Sequence, residues 1–133
     1  MKVFLDKNVL VSAFSTRGLC ADLLRTAMAK HELILAEVVL IETERVLAKK
    51  FKVPEETILE ILALLKSFHV VPKPEQAVGI NIRDKDDVWV LTSALAGNAD
   101  VLITGDQDLL SLAEIPDIII TDPRGFWDMV KTT

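Results

Sequence analysis

A parallel sheet wrapped by helices, an α/β sandwich, is the fold class the sequence predicts, and three observations predict it. Apolar residues alternate between short β-like runs and longer helical runs, the rhythm of βα units. Half of the residues are hydrophobic, ample for a core, and Val, Leu, Ile and Ala dominate over the aromatics. Two of the buried-type runs also end on aspartate, which puts polar groups outside the carboxyl ends of strands.

In chain order, Val3 to Asp6 reads as a short buried strand, followed by a helical start from Asn8 to Phe14. After a break around Ser15 to Gly18, a helix is expected from about Ala21 to Lys30, then a strand from Glu32 to Ala36. Val38 to Lys50 carries apolar pairs at i, i+3 and i+4, a helical spacing. Pro54 suits the first position of the next helix, which reaches about Ser67, because its missing N–H has no intrahelical partner there anyway. His69 to Val71 is a short strand stopped by Pro72 and Pro74, and Asp84 to Asp87 start a helix that runs to Ala96. Asp100 to Thr104 is an apolar strand, Gly105 turns, and Asp106 to Leu112 is a short helix. Ile118 to Thr121 forms the last strand; Asp122 and Pro123 then cap and open a terminal helix ending near Val130.

The 133 residues fit one domain, with no long linker, internal repeat or low-complexity tract. The longest apolar stretch, Leu33 to Ile41, is broken by Glu37 and falls short of the roughly 20 residues a membrane span needs. Asp6 lies too early for the apolar core of a secretory leader, so the expected location is the cytosol. Cys20 has no second cysteine for a disulfide or a zinc site and reads as a core residue. A net charge of −5 is not the footprint of a general basic surface for nucleic acid. Arg45, Lys49, Lys50 and Lys52 form a basic run, which reads as a solvated helix face.

The acids carry the chemistry. Asp6 and Asp106 each follow a strand, where either one alone could simply cap a helix but the pair marks a ligand crevice. Glu42 sits in an otherwise apolar helical stretch, where a carboxylate is costly unless a cation or metal answers it; Glu44, beside Arg45, reads as a surface charge. Asp84, Asp86 and Asp87 crowd one helix start, more negative charge than a cap requires, and a divalent cation would relieve their repulsion. Carboxylates without a His or Cys cluster favour Mg²⁺ or Mn²⁺. Phosphodiester hydrolysis is the natural chemistry of such a site, by one ion or by two about 4 Å apart.

Phe4 to Ala13, FLDKNVLVSA, resembles the opening D-T-N-V-L motif of PIN domains, and Val101 to Leu110, VLITGDQDLL, resembles their D-x-x-V-T-x-D-x-D-L-L motif. Ile41 to Leu47 looks like the family's glutamate helix, and Arg83 to Asp87 like its third acidic element. The likeness keeps order and spacing as far as Thr121 to Phe126. It implies a three-layer α/β/α fold with a central, mostly parallel five-stranded sheet and metal-dependent ribonuclease activity. It also implies kinship with VapC-like toxins, hence an RNA substrate, a protein antitoxin and a homodimer. Carried over by position, Asp6, Glu42, Asp87 and Asp106 form an acidic quartet that binds Mg²⁺ or Mn²⁺. Asp108 is then an additional or water-mediated ligand, Asn8 orients Asp6, and Asp84 competes with Asp87 for the third place.

Lys7 departs from the family, which usually has Thr or Ser there; its ammonium can compete with metal for Asp6, bind a phosphate, or point away. A haloacid-dehalogenase-like phosphatase would want a second Asp where Asn8 stands, and a phospho-receiver domain would want paired early acids and a late Lys. A catalytically weakened interaction module has Lys7 as its support. His31 and His69 read as structural or solvated, and Trp89 and Trp127 as core. The helix from Pro54 to Ser67 is apolar around more than one stripe, which points to a dimer face with Leu62 and Leu65 outward.

Overall fold

The computed structural model describes residues 1–112 and 114–131. Strand β1 (Lys2–Leu5) leads through α1 (Lys7–Ser15) and α2 (Leu19–Lys30) to β2 (Glu32–Ala36), and α3 (Glu37–Lys49) and α4 (Glu55–Lys66) lead to β3 (His69–Val71). The chain then crosses by α5 (Lys85–Ala96) to β4 (Val101–Ile103), and α6 (Gln107–Leu110) joins it to β5 (Ile119–Thr121), before α7 (Pro123–Lys131). Pro54 stands as the N-cap of α4 rather than its first residue, with a carbonyl that accepts from the Ile58 N–H at 3.0 Å. Asp106 likewise caps α6, and the helix stops at Leu110, two residues before the expected end.

All five strands are parallel, in the order β3-β2-β1-β4-β5. Parallel strands joined by right-handed crossovers put helices on opposite faces whenever the direction of travel across the sheet reverses. The chain moves outward from β1 to β3 and then returns past β1 to β4, so α1 to α4 cover one face and α5 and α6 the other. The result is a three-layer α/β/α sandwich, and α7 closes back onto α2 and β5. Central strands β1, β2 and β4 are buried on both faces, which accounts for their continuous apolar runs.

The order reverses between β1 and β4. Neighbouring strands there send their connections to opposite faces, and a crevice opens at their carboxyl ends. Asp6 and Asp106 flank that crevice because each follows one of these two strands.

Helix α4 corrects the expectation about its faces. Ile58, Ile61, Leu62 and Leu65 are buried within the chain, so Leu62 and Leu65 do not point outward. The exposed side chains are Leu59 and Leu64, with Ile41 on α3 and Phe51 beyond it. Apolar residues all round a helix raise its burial without saying which side is buried.

Gly97 caps α5 where the helix meets the sheet. A Cβ added there would lie 2.8 Å from Val71 Cγ2 and 2.9 Å from Ile34 Cγ2, two buried β-branched side chains with little freedom to turn. Gly97→Ala should therefore lower stability in chemical denaturation by about 1–3 kcal/mol, the range for overpacking a filled core. Gly79→Ala, an exposed site with nothing within 4 Å of the added atom, is the control and should stay within roughly 0.5 kcal/mol of wild type.

Candidate metal centre

A cleft of about 510 Å³ opens at the switch point and is lined by Asp6, Lys7, Asn8, Glu42, Asp84, Asp86, Asp87 and Asp106, among others. The acids of the expected quartet thus share one cleft, although they come from the residue after β1, from α3, from α5 and from the turn after β4. Asp84 is at the same cleft; Asp108 is one helical step beyond its lining.

Asp6 is buried, yet both its oxygens have donors. The Lys7 N–H donates to Oδ1 at 2.7 Å and the Thr104 hydroxyl donates to Oδ2 at 2.7 Å. Burial pushes the Asp6 carboxyl above its ordinary pKa of 3.8, while Thr104, the Lys7 amide and the Lys7 charge hold it back. Thr104 does a second job. Its oxygen accepts from the Asp106 N–H at 3.0 Å, so one buried hydroxyl links the acid after β1 to the turn after β4. Asn8 reinforces the same junction: its Oδ1 accepts from the Gly105 N–H at 3.3 Å. Asn8 therefore anchors the turn that carries Asp106, and the donors on Asp6 are Lys7 and Thr104 instead.

Asp84 and Asp87 divide their work. Asp84 is exposed and caps α5, its Oδ1 accepting from the Asp86 N–H at 2.9 Å. Asp87, one turn in, faces the cleft at 6% exposure, and its Oδ2 has no hydrogen-bond partner. Burial first, then the charges of Asp106, Asp84 and Asp6, raise the Asp87 carboxyl from 3.8 to about 7. One oxygen each of Asp87, Asp106 and Asp108 lies within 4.8 Å of the others. Three carboxylates so close, with a buried oxygen unanswered, fit a hard divalent cation with oxygen ligands. Asp106 is presented by its own cap, with Oδ1 accepting from the Asp108 N–H at 2.8 Å.

Two further acids, Asp108 and Glu42, meet cations of the chain. Asp108 pairs with Arg83 at 3.1 Å. Glu42 is half-buried and pairs with Arg45 at 2.6 Å and, more loosely, with the Lys7 ammonium at 3.8 Å. Lys7 lines the cleft, so of its three anticipated orientations the outward one is not adopted. Trp89 corrects another expectation. It is half-buried at the cleft wall with the Lys73 ammonium 4.6 Å from its ring centre, whereas the core aromatic of α7 is Phe126 and Trp127 is half-buried. Cys20 packs half-buried against the core. His31 caps α2 beside the Phe126 ring and the chain's amino group, and His69 is exposed.

Thr104 and Arg83 are the contributors that sequence reasoning passed over. Thr104 had a signal, a hydroxyl at the last position of an apolar strand, two residues before the acid.

The Asp87 shift has a sign that can be tested. Between about pH 4 and pH 7 the folded chain keeps a proton that the unfolded chain has lost, so stability falls as pH rises through that window. In chelator, the melting temperature should drop from about pH 5 to about pH 8, and Asp87→Asn should flatten the drop. Added Mg²⁺ or Mn²⁺ should restore stability mainly at the higher pH, where the ligands are ionised. Parallel pH curves for wild type and Asp87→Asn would assign the shift elsewhere.

Comparisons with known proteins agree with this architecture. No curated protein sequence matches the chain. Among solved structures, the fold is similar to VapBC2 from Rickettsia felis, with 18% identity and a TM-score of 0.65 over 92% of this chain and 98% of that one. A toxin–antitoxin complex from Klebsiella pneumoniae is similar at 22% identity and a TM-score of 0.65, over 88% and 95% of the two chains. VapC20 from Mycobacterium tuberculosis, a sarcin–ricin loop cleaving toxin, is similar at 12% identity and a TM-score of 0.59, over 85% and 98%. The PIN domain family model matches residues 2–108, which include every acid of the cleft, and the chain belongs to that family.

Proposed function

We propose that the chain is a Mg²⁺- or Mn²⁺-dependent endoribonuclease and the toxin of a toxin–antitoxin pair. The observation that carries the catalytic part is the Asp87 oxygen, buried, unpartnered and grouped with Asp106 and Asp108. A carboxylate left this way without a cation costs free energy that a bound divalent ion recovers. Asp6, Asp87 and Asp106 would hold the ion, with Asp108 beside them. When bound, such an ion acidifies water and offsets charge building on the scissile phosphate.

The chain's own groups set the geometry. Thr104 and the Lys7 amide fix the Asp6 carboxylate, and the α6 cap fixes Asp106, so neither must reorganise as charge develops. Glu42 closes the opposite wall and holds the ammonium of Lys7 over the cleft. Lys73, held over the Trp89 ring, puts a cation at the cleft wall that could meet a phosphate.

The toxin assignment has the support of similar structures solved as VapBC and toxin–antitoxin complexes, and of VapC20, a sarcin–ricin loop cleaving toxin. On that reading a protein antitoxin is the partner, and the location is the cytosol; no helix among the described residues is long and apolar enough to cross a membrane. Pairing of two chains through Leu59 and Leu64 of α4 would cover its exposed apolar side chains.

Purified protein should cleave a mixed RNA pool with Mg²⁺ or Mn²⁺ and stop with chelator. Asp106→Asn should remove nearly all activity, and Thr104→Val, which keeps shape and loses the hydroxyl, should lower metal affinity or rate by roughly 10–100-fold. Equal cleavage by wild type and both variants would point to a contaminating nuclease. Light scattering tests the pairing: a mass near 14.7 kDa rejects it, and twice that mass, lost in Leu59→Asp with Leu64→Asp, supports it.

A further inference from the structure

Counting which carboxylates of the cleft already face a cation divides them into two groups. Glu42 faces two, Arg45 at 2.6 Å and Lys7 at 3.8 Å, and both reach the same oxygen, Oε2. Asp108 faces Arg83 at 3.1 Å. Among the described residues, Asp6, Asp87 and Asp106 have no such ion pair: Asp6 is held by two neutral donors, Asp106 by a backbone amide, and Asp87 Oδ2 by none. Unpaired charge is therefore concentrated on the β1, β4 and α5 side of the cleft; of the two α3 acids that line it, Glu42 is neutralised by the chain itself and Glu37 is exposed.

We infer that the Lys7 ammonium stands in for a second divalent cation, so that the cleft takes one ion, on the Asp6, Asp87 and Asp106 side, and Glu42 serves as the seat of Lys7 rather than as a metal ligand. The inference rests on the metal-dependent reading proposed above and deepens it. Lys7 is well placed for the role. It is the first residue of α1 and directly follows Asp6, so its backbone amide is fixed on the Asp6 carboxylate while its side chain spans the cleft to α3. A divalent ion approaching Glu42 would meet a carboxylate whose charge Arg45 and Lys7 already offset, and would come to rest beside the Lys7 ammonium, where like charges repel. Lys7 in this chain is a positioning residue: it sets how many ions bind and where, and it need not touch the reacting atoms.

Manganese stoichiometry reads this without RNA and without turnover. Titration of the purified chain with Mn²⁺, following the resonance of the free ion, should give one tightly held ion per wild-type chain. Lys7→Thr and Lys7→Met, which remove the ammonium, should each give two, and the second ion should be lost again in Lys7→Thr combined with Glu42→Gln. Lys7→Arg keeps a cation and should keep one ion. Two ions in wild type, or one in both Lys7→Thr and Lys7→Met, overturn the inference. If those results accompany chelator-sensitive RNA cleavage by wild type, the nuclease reading survives and only the role of Lys7 falls. Absence of Mn²⁺ binding by wild type overturns both.

Discussion

Carboxylates crowded into one crevice repel one another, and the rest of the site is arranged around that repulsion. Each acid is answered in a different way. Asp6 has neutral donors, Glu42 and Asp108 have cations, Asp84 has a helix start, and Asp87 keeps one oxygen open. Neutral donors orient a carboxylate without cancelling its charge, which is what a metal ligand requires, whereas a paired cation offsets part of that charge. Glu42, with two cations on one oxygen, is the most offset of these acids, and Asp108 shares its charge between Arg83 and the cluster with Asp87 and Asp106.

The sheet order makes this possible. Only at the reversal between β1 and β4 do two adjacent strands end beside an open crevice, and both are buried on two faces, so their ends are rigid. Thr104 exploits that rigidity. Its hydroxyl, fully buried, donates to Asp6 and accepts from the Asp106 amide, joining the two strand ends through one oxygen. Valine there would fill the space and leave Asp6 Oδ2 short of its donor, a change in chemistry at constant shape.

Much of this could be read in the chain before its structure. Short apolar runs with an aspartate just beyond them, Val3 to Leu5 before Asp6 and Val101 to Ile103 before Asp106, locate β1 and β4, and with them the crevice, because a parallel strand buried on both faces has to be apolar throughout. The register of the family resemblance puts Asp87 ahead of Asp84, and in the structure Asp84 is the exposed cap of α5 while Asp87 is buried at the cleft. Other features were not legible for physical reasons. The direction of the Lys7 side chain depends on α3, some thirty-five residues away in sequence, and the inward faces of Leu62 and Leu65 depend on what α4 packs against. Trp89 satisfies a helical pattern equally well as core or as wall, and only the tertiary fold puts it at the cleft. Thr104 looks like an ordinary strand residue until its neighbour across the sheet is known.

The position of β1 between β2 and β4 bears on when, during synthesis, the acidic cleft is completed. Asp6 is synthesised first, but the strand that completes its surroundings is added about a hundred residues later, a lag of roughly 5–20 s at ordinary elongation rates. Until then the emerging chain has no Thr104 to hold Asp6 and no Asp106 to share an ion, so an unfinished copy on the ribosome carries the acids without the site. For the RNA-cutting toxin proposed above, that order would withhold activity until translation of the sheet is complete.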